Sequence, residues 1–238
     1  MRFGTLLLRR VHMWTGVLIG IQIVLWTVSG LAMALLDMEE VAGGERAEAA
    51  QPPLPTDGAW PAIREALGPA TVTALTVRPL LDRQVIEVTT PVGVRLFDAG
   101  TGTRLTLDAP MAGAVAAAGH PGKARIERIE RLEELTLAVR KHKLPIWRVD
   151  FADEAESSFY VSGETGKLLE RRNSSWRTWD FFWMLHNMDY AKRESFNHPL
   201  IVFAAVAALW LAITGVWLLF RTVWRPDLRA FGRPFRRS

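Results

Sequence analysis

The chain has 238 residues, 49% of them hydrophobic and 23% charged, with a formal net charge of +4 and no cysteine. That length builds one or two domains and is too apolar for a disordered chain. The missing cysteine excludes a disulfide scaffold, a thiolate zinc site, a cysteine nucleophile and a Cys-x-x-Cys redox centre. A mean hydropathy of +0.09 averages two populations, since residues 13–36 and 199–220 contain no Asp, Glu, Lys or Arg while the rest reads as an ordinary polar domain. Residues 1–36 hold three arginines and no acid, and residues 221–238 hold six arginines against Asp227. Residues 37–198 carry 20 of the 29 bases and 24 of the 25 acids. The high isoelectric point therefore belongs to the two ends, which argues against a nucleic-acid surface.

Residues 13–36 form a 24-residue apolar segment, and a helix of that length rises about 36 Å, enough to cross a bilayer core. Ala32-Met-Ala34 resembles a cleavage site, but a signal h-region runs only about 7–15 residues, so a retained span is expected. Pro199–Phe220 is the second expected span, with Pro199 suited to a first helical turn. Arginines flank the outer ends of the pair, which predicts cytoplasmic termini at 1–12 and 221–238 and a translocated stretch at 37–198. In a bacterial inner membrane that stretch is periplasmic.

Residues 37–58 read as a linker. Asp57 is expected to cap a helix carrying Trp60, Ile63 and Leu67 and closed by Gly68. Strands are expected at 72–77, 84–89 and 92–97, with Val85, Glu87 and Thr89 on one face and Ile86 and Val88 on the other. Asp98-Ala-Gly-Thr-Gly102 is a turn. The pattern then recurs: a short Ala-rich helix at 112–118, strands at 146–151 and 158–161, and a second turn, Ser162-Gly-Glu-Thr-Gly166, 64 residues after the first. Residues 126–135 stay open between helix and strand. Their Ile126, Ile129, Leu132 and Leu135 favour a helix, whereas the matching place in the first half is strand. The expected fold is a duplicated α+β domain over 59–172, helices on one face of antiparallel strands, inserted between two transmembrane helices.

Leu144-Pro-Ile-Trp-Arg-Val-Asp-Phe151 followed by Phe159-Tyr-Val-Ser-Gly-Glu-Thr-Gly-Lys-Leu-Leu169 resembles a PepSY domain. Arg10-Val-His-Met-Trp-Thr-Gly16 with Trp26-Thr-Val-Ser-Gly30 resembles the first helix of the PepSY-associated transmembrane family. Trp183-Met-Leu-His-Asn-Met-Asp-Tyr190 and Phe196-Asn-His-Pro-Leu200 resemble its second membrane approach. The resemblance implies a two-helix member of a family whose larger, four-helix relatives include b-haem reductases linked to siderophore iron uptake.

No His-Glu-x-x-His, Gly-x-Ser-x-Gly, Walker or Gly-x-Gly-x-x-Gly motif occurs, which leaves five histidines as the chemistry-bearing residues. His12 lies at the cytoplasmic end of the first span, on the face that carries Gly16 and Gly20. It reads either as an axial haem ligand or as an interfacial histidine bonded to lipid phosphate or a backbone carbonyl. His198 precedes the second span on the far side, about 30 Å away, so the two cannot share an iron. His186 and His198 lie on the same side and could pair there, and bis-imidazole ligation favours electron transfer. Trp176, Trp179, Trp183, His186 and Tyr190 follow 3–4 spacing and predict an interfacial amphipathic helix within 173–198, the alternative being a core helix of the polar domain. Asp189, Lys192, Arg193 and Glu194 read as its solvated edge. His120 and His142 are expected on the surface. Two functions stand open: an accessory or docking subunit of a membrane redox or iron-acquisition system, partnered by another membrane protein or a second copy, and a b-haem reductase with His12, His186 and His198 as candidate ligands.

Overall fold

The computed structural model describes residues 2–44, 57–191, 193, 195 and 197–221. Most of the expected linker, Lys192 and Glu194 of the expected solvated edge, and the basic tail from 222 onward lie outside the described residues. The chain divides into two compact units, one made of the terminal helices with residues from Asp180 onward and the other of Leu36–Trp179.

In the first unit, α1 (Arg2–Leu35) and α6 (Pro199–Leu219) are both long and apolar enough to cross a bilayer. The 34 residues of α1 rise about 51 Å, well beyond a hydrocarbon core. Leu18, Ile21, Val24, Phe203, Val206, Leu209, Ile213 and Val216 point outward and are exposed. A water-soluble unit would bury such residues, whereas a lipid-facing one displays them. The residues enclosed between the helices are Ile19, Gln22, Ser29, Ala204 and Thr214. His198 caps α6, its Nδ1 accepting the Leu200 amide at 3.3 Å, and Pro199 occupies the first turn.

The second unit is α+β. Sheet A runs β1 (Ala74–Leu80), β2 (Arg83–Thr90), β3 (Gly93–Asp98) and β4 (Arg104–Leu105); sheet B runs β5 (Ile126–Leu132), β6 (Ile146–Phe151), β7 (Ser158–Ser162) and β8 (Leu168–Arg172). Both are antiparallel meanders in chain order. A helix precedes each: α3 (Trp60–Leu67) before sheet A and α4 (Ala109–Ala118) before sheet B. The helix expected to begin at Asp57 starts later, with Ala59 in the cap position and Pro61 in its first turn, after a 3₁₀ turn over Asp57–Ala59. Within the expected linker, Met38–Val41 makes one helical turn (α2) capped by Asp37, with Val41 buried.

The two turns 64 residues apart have the same construction. Gly102 N–H donates to Asp98 O and Gly166 N–H to Ser162 O, each at 2.8 Å. The Asp98 carboxylate accepts the Gly100 and Thr101 amides, and the Ser162 hydroxyl accepts the Glu164 and Thr165 amides. Both glycines are left-handed, at φ 72° and 67°, which only glycine adopts without strain. Each meander also leads into a capped helix: Asp108 accepts the Met111 amide at α4, and Asn173 accepts the Trp176 amide at α5 (Ser174–Asn187).

The β2 side chains point as the alternation predicts, but neither face is solvated. Ile86 and Val88 join Phe97, Ala59 and Ile63 beneath α3, while Val85 joins Leu80, Leu96 and Leu107 in a second core shared with α4, Val149, Phe159 and Val161. Helices on a single face are therefore not the whole arrangement. Of the open stretch at 126–135, residues 126–132 are strand and 133–135 lie outside it. Ile126 and Ile129 reach the same core in spite of their odd spacing because the ladder shifts by one residue between Ile126 and Arg128. Such a bulge reverses the alternation, and Leu132 falls on the opposite face, beside Val139, Ile146 and Tyr160. A thirteen-residue connection (133–145) joins β5 to β6 where two residues (81–82) join β1 to β2.

Glu87 ties the two halves. Its carboxylate accepts Arg78 Nε at 2.8 Å and Lys167 Nζ at 3.0 Å, and Arg78 reaches on to the Thr165 carbonyl. Burial alone would raise the Glu87 carboxyl, but hydrogen bonds and charge from Arg78 and Lys167 outweigh it and hold it below the ordinary value of 4.5. A carboxyl depressed in the folded state stabilises above its unfolded value and loses that contribution as pH falls through its folded value. Glu87→Gln should therefore destabilise the protein by about 1–3 kcal/mol at neutral pH. It should also flatten the loss of stability below about pH 4.5 in denaturant titrations. Parallel acid profiles for the variant and the wild type would contradict this. Gly102→Ala puts a Cβ 2.4 Å from the Ala59 carbonyl oxygen and should lower the melting temperature more than Gly166→Ala, whose nearest neighbour is the flexible Leu107 side chain.

Candidate functional site

In the first unit, His12 and His186 each contact a hydroxyl on a neighbouring helix. His12 hydrogen-bonds through Nδ1 to Thr214 Oγ1 at 2.7 Å. That hydroxyl already donates to the Trp210 carbonyl four residues back, at 2.8 Å. The hydroxyl proton is thus committed, so His12 Nδ1 donates and, in the neutral ring, Nε2 keeps the lone pair. Gly215 makes room for the imidazole, since a Cβ there would lie 3.4 Å from His12 Cε1. Trp210 flanks the ring at 6.2 Å between centroids. One turn along α1, Gly16 faces Leu211 rather than another small residue, and Gly20 meets nothing within 4 Å.

The other end of α1 repeats the chemistry with α5. His186 Nδ1 lies 3.1 Å from Ser29 Oγ, whose proton goes to the Leu25 carbonyl at 2.6 Å. The imidazole therefore donates here too. Gly30 supplies the space, its absent Cβ being 3.5 Å from His186 Cε1, and the Trp26 indole donates to the His186 carbonyl at 2.8 Å. Between the two contacts Gln22 is buried, and its amide nitrogen faces no acceptor among the described residues.

The structure does not bring His12, His186 and His198 together. Eighteen residues of helix separate His12 from Gly30, about 27 Å of rise. His198 Nδ1 accepts the amide at the start of α6, so the neutral ring carries its proton on Nε2 and offers no free lone pair. The chain thus presents one imidazole with an available Nε2 at each end of the helix pair, and two axial ligands to one iron would need a second chain. Among the described residues no group of three or more His, Asp or Glu is placed to hold a metal ion.

Of the aromatic stripe, Trp176, Trp179 and Trp183 are half-buried on α5, and Trp176 lies under the Arg172 guanidinium, 4.2 Å from ring centroid to Cζ. Tyr190 is not on the helix, which ends at Asn187; Met188 turns to φ 57° and Tyr190 is exposed. The expected solvated edge is not solvated at Asp189, which is buried, and Arg193 pairs with the buried Asp180 at 2.6 Å.

The two histidines expected on the surface are paired with carboxylates. His120 is buried against Phe151 and Phe159; its Nδ1 accepts the Gly122 amide at 3.1 Å and its Nε2 meets Asp153 Oδ2 at 3.0 Å. Burial would raise the Asp153 carboxyl, but hydrogen bonds from the Ser157 backbone and hydroxyl, with His120, hold it below the ordinary range. His142, on the long β5–β6 connection, reaches Glu170 on β8 at 2.8 Å despite its flanking lysines.

Sequence reasoning missed Ser29 and Thr214. The available signal was a hydroxyl next to a glycine in an apolar span, Ser29-Gly30 in the first and Thr214-Gly215 in the second. Against known proteins, the family model described as "PepSY-associated TM region" matches residues 9–238. No curated protein and no solved structure matches the chain.

Gly215→Leu should push the His12 ring off Thr214 and lower stability in detergent by about 1–3 kcal/mol, while Gly215→Ala should cost less. Unfolding in mixed micelles checks this, and equal stability for Gly215→Leu and wild type would contradict the contact.

Proposed function

Because the chain belongs to the PepSY-associated transmembrane family, a membrane family, we propose that it is a two-pass protein of a bacterial inner membrane. Both termini are cytoplasmic and residues 37–198 periplasmic, with 59–172 forming a duplicated PepSY-like domain. Its role is that of an accessory or docking subunit in a membrane redox or iron-acquisition system, and it is not a catalyst by itself. The observation that carries this reading is the use of His12 and His186 as packing groups. Each commits Nδ1 to a hydroxyl of a neighbouring helix and lays Cε1 against a glycine. The outer-facing interface would be the half-buried Trp176, Trp179 and Trp183 with exposed Tyr190, residue types that favour a bilayer boundary. Gly16, met only by Leu211, and Gly20, with nothing within 4 Å, would be the positions on α1 open to a further helix.

One feature of the same contacts favours a second reading. An imidazole that donates through Nδ1 leaves Nε2 available and holds the ring in the tautomer of a ligating histidine. In that reading His12 or His186 holds a b-haem jointly with another chain, and end-located arginines steady its propionates. Bound haem would supply one-electron transfer to a periplasmic ferric siderophore or another acceptor. This chain would fix the imidazole tautomer through Thr214 or Ser29 and exclude water by helix packing.

The visible spectrum of the purified, folded protein separates the two. The docking reading expects a colourless preparation that travels with a partner or a second copy on native mass measurement. A Soret band abolished by His12→Ala or His186→Ala would overturn it in favour of the haem reading. Proteolysis of intact spheroplasts should cleave within 37–198 and leave both termini protected.

A further inference from the structure

The two meanders differ at one edge. In sheet B, β8 covers β7 along its length, pairing Ser158 with Arg172 through to Val161 with Leu168. In sheet A, β4 pairs only Leu96 with Leu105 and Phe97 with Arg104, then leaves. The departure has a cause in the sequence. Leu107 is drawn into the core, its carbonyl accepts the Trp147 indole at 3.2 Å, and Asp108 turns the chain into α4. Beside the first half of β3 this opens a groove of about 360 Å³, lined by Val92, Val94, Arg95, Arg104 and Glu164 among others.

The groove exposes backbone. Asp98 N–H bonds outward to Thr103 and Ala99 N–H inward to Gln84. In an antiparallel ladder the direction alternates along the strand, so Val94 directs both its N–H and its C=O outward, beyond the last β4 pair. Apart from Glu164, whose carboxylate lies beside Gly93, the side chains that flank this edge are sorted. Arg95, which reaches the Ala66 carbonyl on α3, and Arg104, opposite Phe97, lie on the α3 face. Val94 lies on the Leu96 face with Leu105, and Val92 is 84% exposed.

We propose that this edge of sheet A is a strand-addition site for an extended segment of a partner protein whose side chains alternate acidic and apolar. Main-chain bonds to Val94 would extend the ladder as β8 does in sheet B. The acidic positions would meet Arg95 and Arg104, and the apolar positions would cover Val94 and Leu105. This deepens the docking reading and rests on it.

The test uses the full chain in detergent micelles and a fluorescein-labelled heptapeptide of alternating Glu and Val, read by anisotropy. Saturable binding is expected, weakened at least about tenfold in Val94→Pro. That substitution removes an outward N–H without touching the bonds to β2 and is tolerated at an edge; an unchanged circular dichroism melt verifies its fold. Arg95→Glu with Arg104→Glu should reverse the preference towards a Lys–Val heptapeptide. Equal binding by wild type and Val94→Pro, equal affinity for the two peptides, or no saturable binding at millimolar peptide would overturn the proposal. So would self-association that Val94→Pro abolishes, since a second copy would then occupy the edge. A colourless protein that travels with a partner but ignores the peptide would sink this site and leave the docking reading standing.

Discussion

A pair of helices in lipid gains little from burying apolar side chains against each other, because the surroundings are equally apolar. What holds them is close approach and hydrogen bonding. In this chain both come from the same residues. His12 and His186 each need a glycine to admit the imidazole and a back-bonded hydroxyl to receive its Nδ1 proton. The position of α6 on one end of α1, and of the α5 C-terminus on the other, follows from these two contacts. They also fix which ring nitrogen is left available, and that is the chemical property on which any reading of the membrane half turns.

The polar unit solves a different problem. Two four-stranded meanders, each preceded by a helix, share a core through Val85, Leu96, Val149 and Val161. β2 is thereby covered on both faces, and the one charged group that this encloses on it, Glu87, is compensated by Arg78 from its own half and Lys167 from the other. A buried carboxylate costs free energy unless it is paired, and here the pairing doubles as the link between halves. The same sharing pulls Leu107 away from β3 and leaves sheet A with an edge that sheet B lacks.

His120 and His142 show how local sequence misleads. His120 precedes Pro121-Gly122, a surface signal, and His142 lies between two lysines. Both are tied to carboxylates 33 and 28 residues away, Asp153 and Glu170, and neither partner is visible until the sheet brings it across. The period-three isoleucines of β5 mislead in the opposite sense. A bulge imitates helical spacing within a strand.

The amino-acid sequence by itself determined the two apolar spans, the charge asymmetry of the ends, the paired Gly-containing turns and the family, because each is written in residues adjacent along the chain. It determined the β2 facing as well, because strand alternation has a period of two. Only the tertiary structure decided that His12 meets Thr214, that His186 meets Ser29, that Tyr190 falls off the α5 stripe and that β4 abandons β3. Those outcomes depend on distances between segments far apart in sequence, where close packing selects one partner among many chemically equivalent hydroxyls, carboxylates and apolar groups.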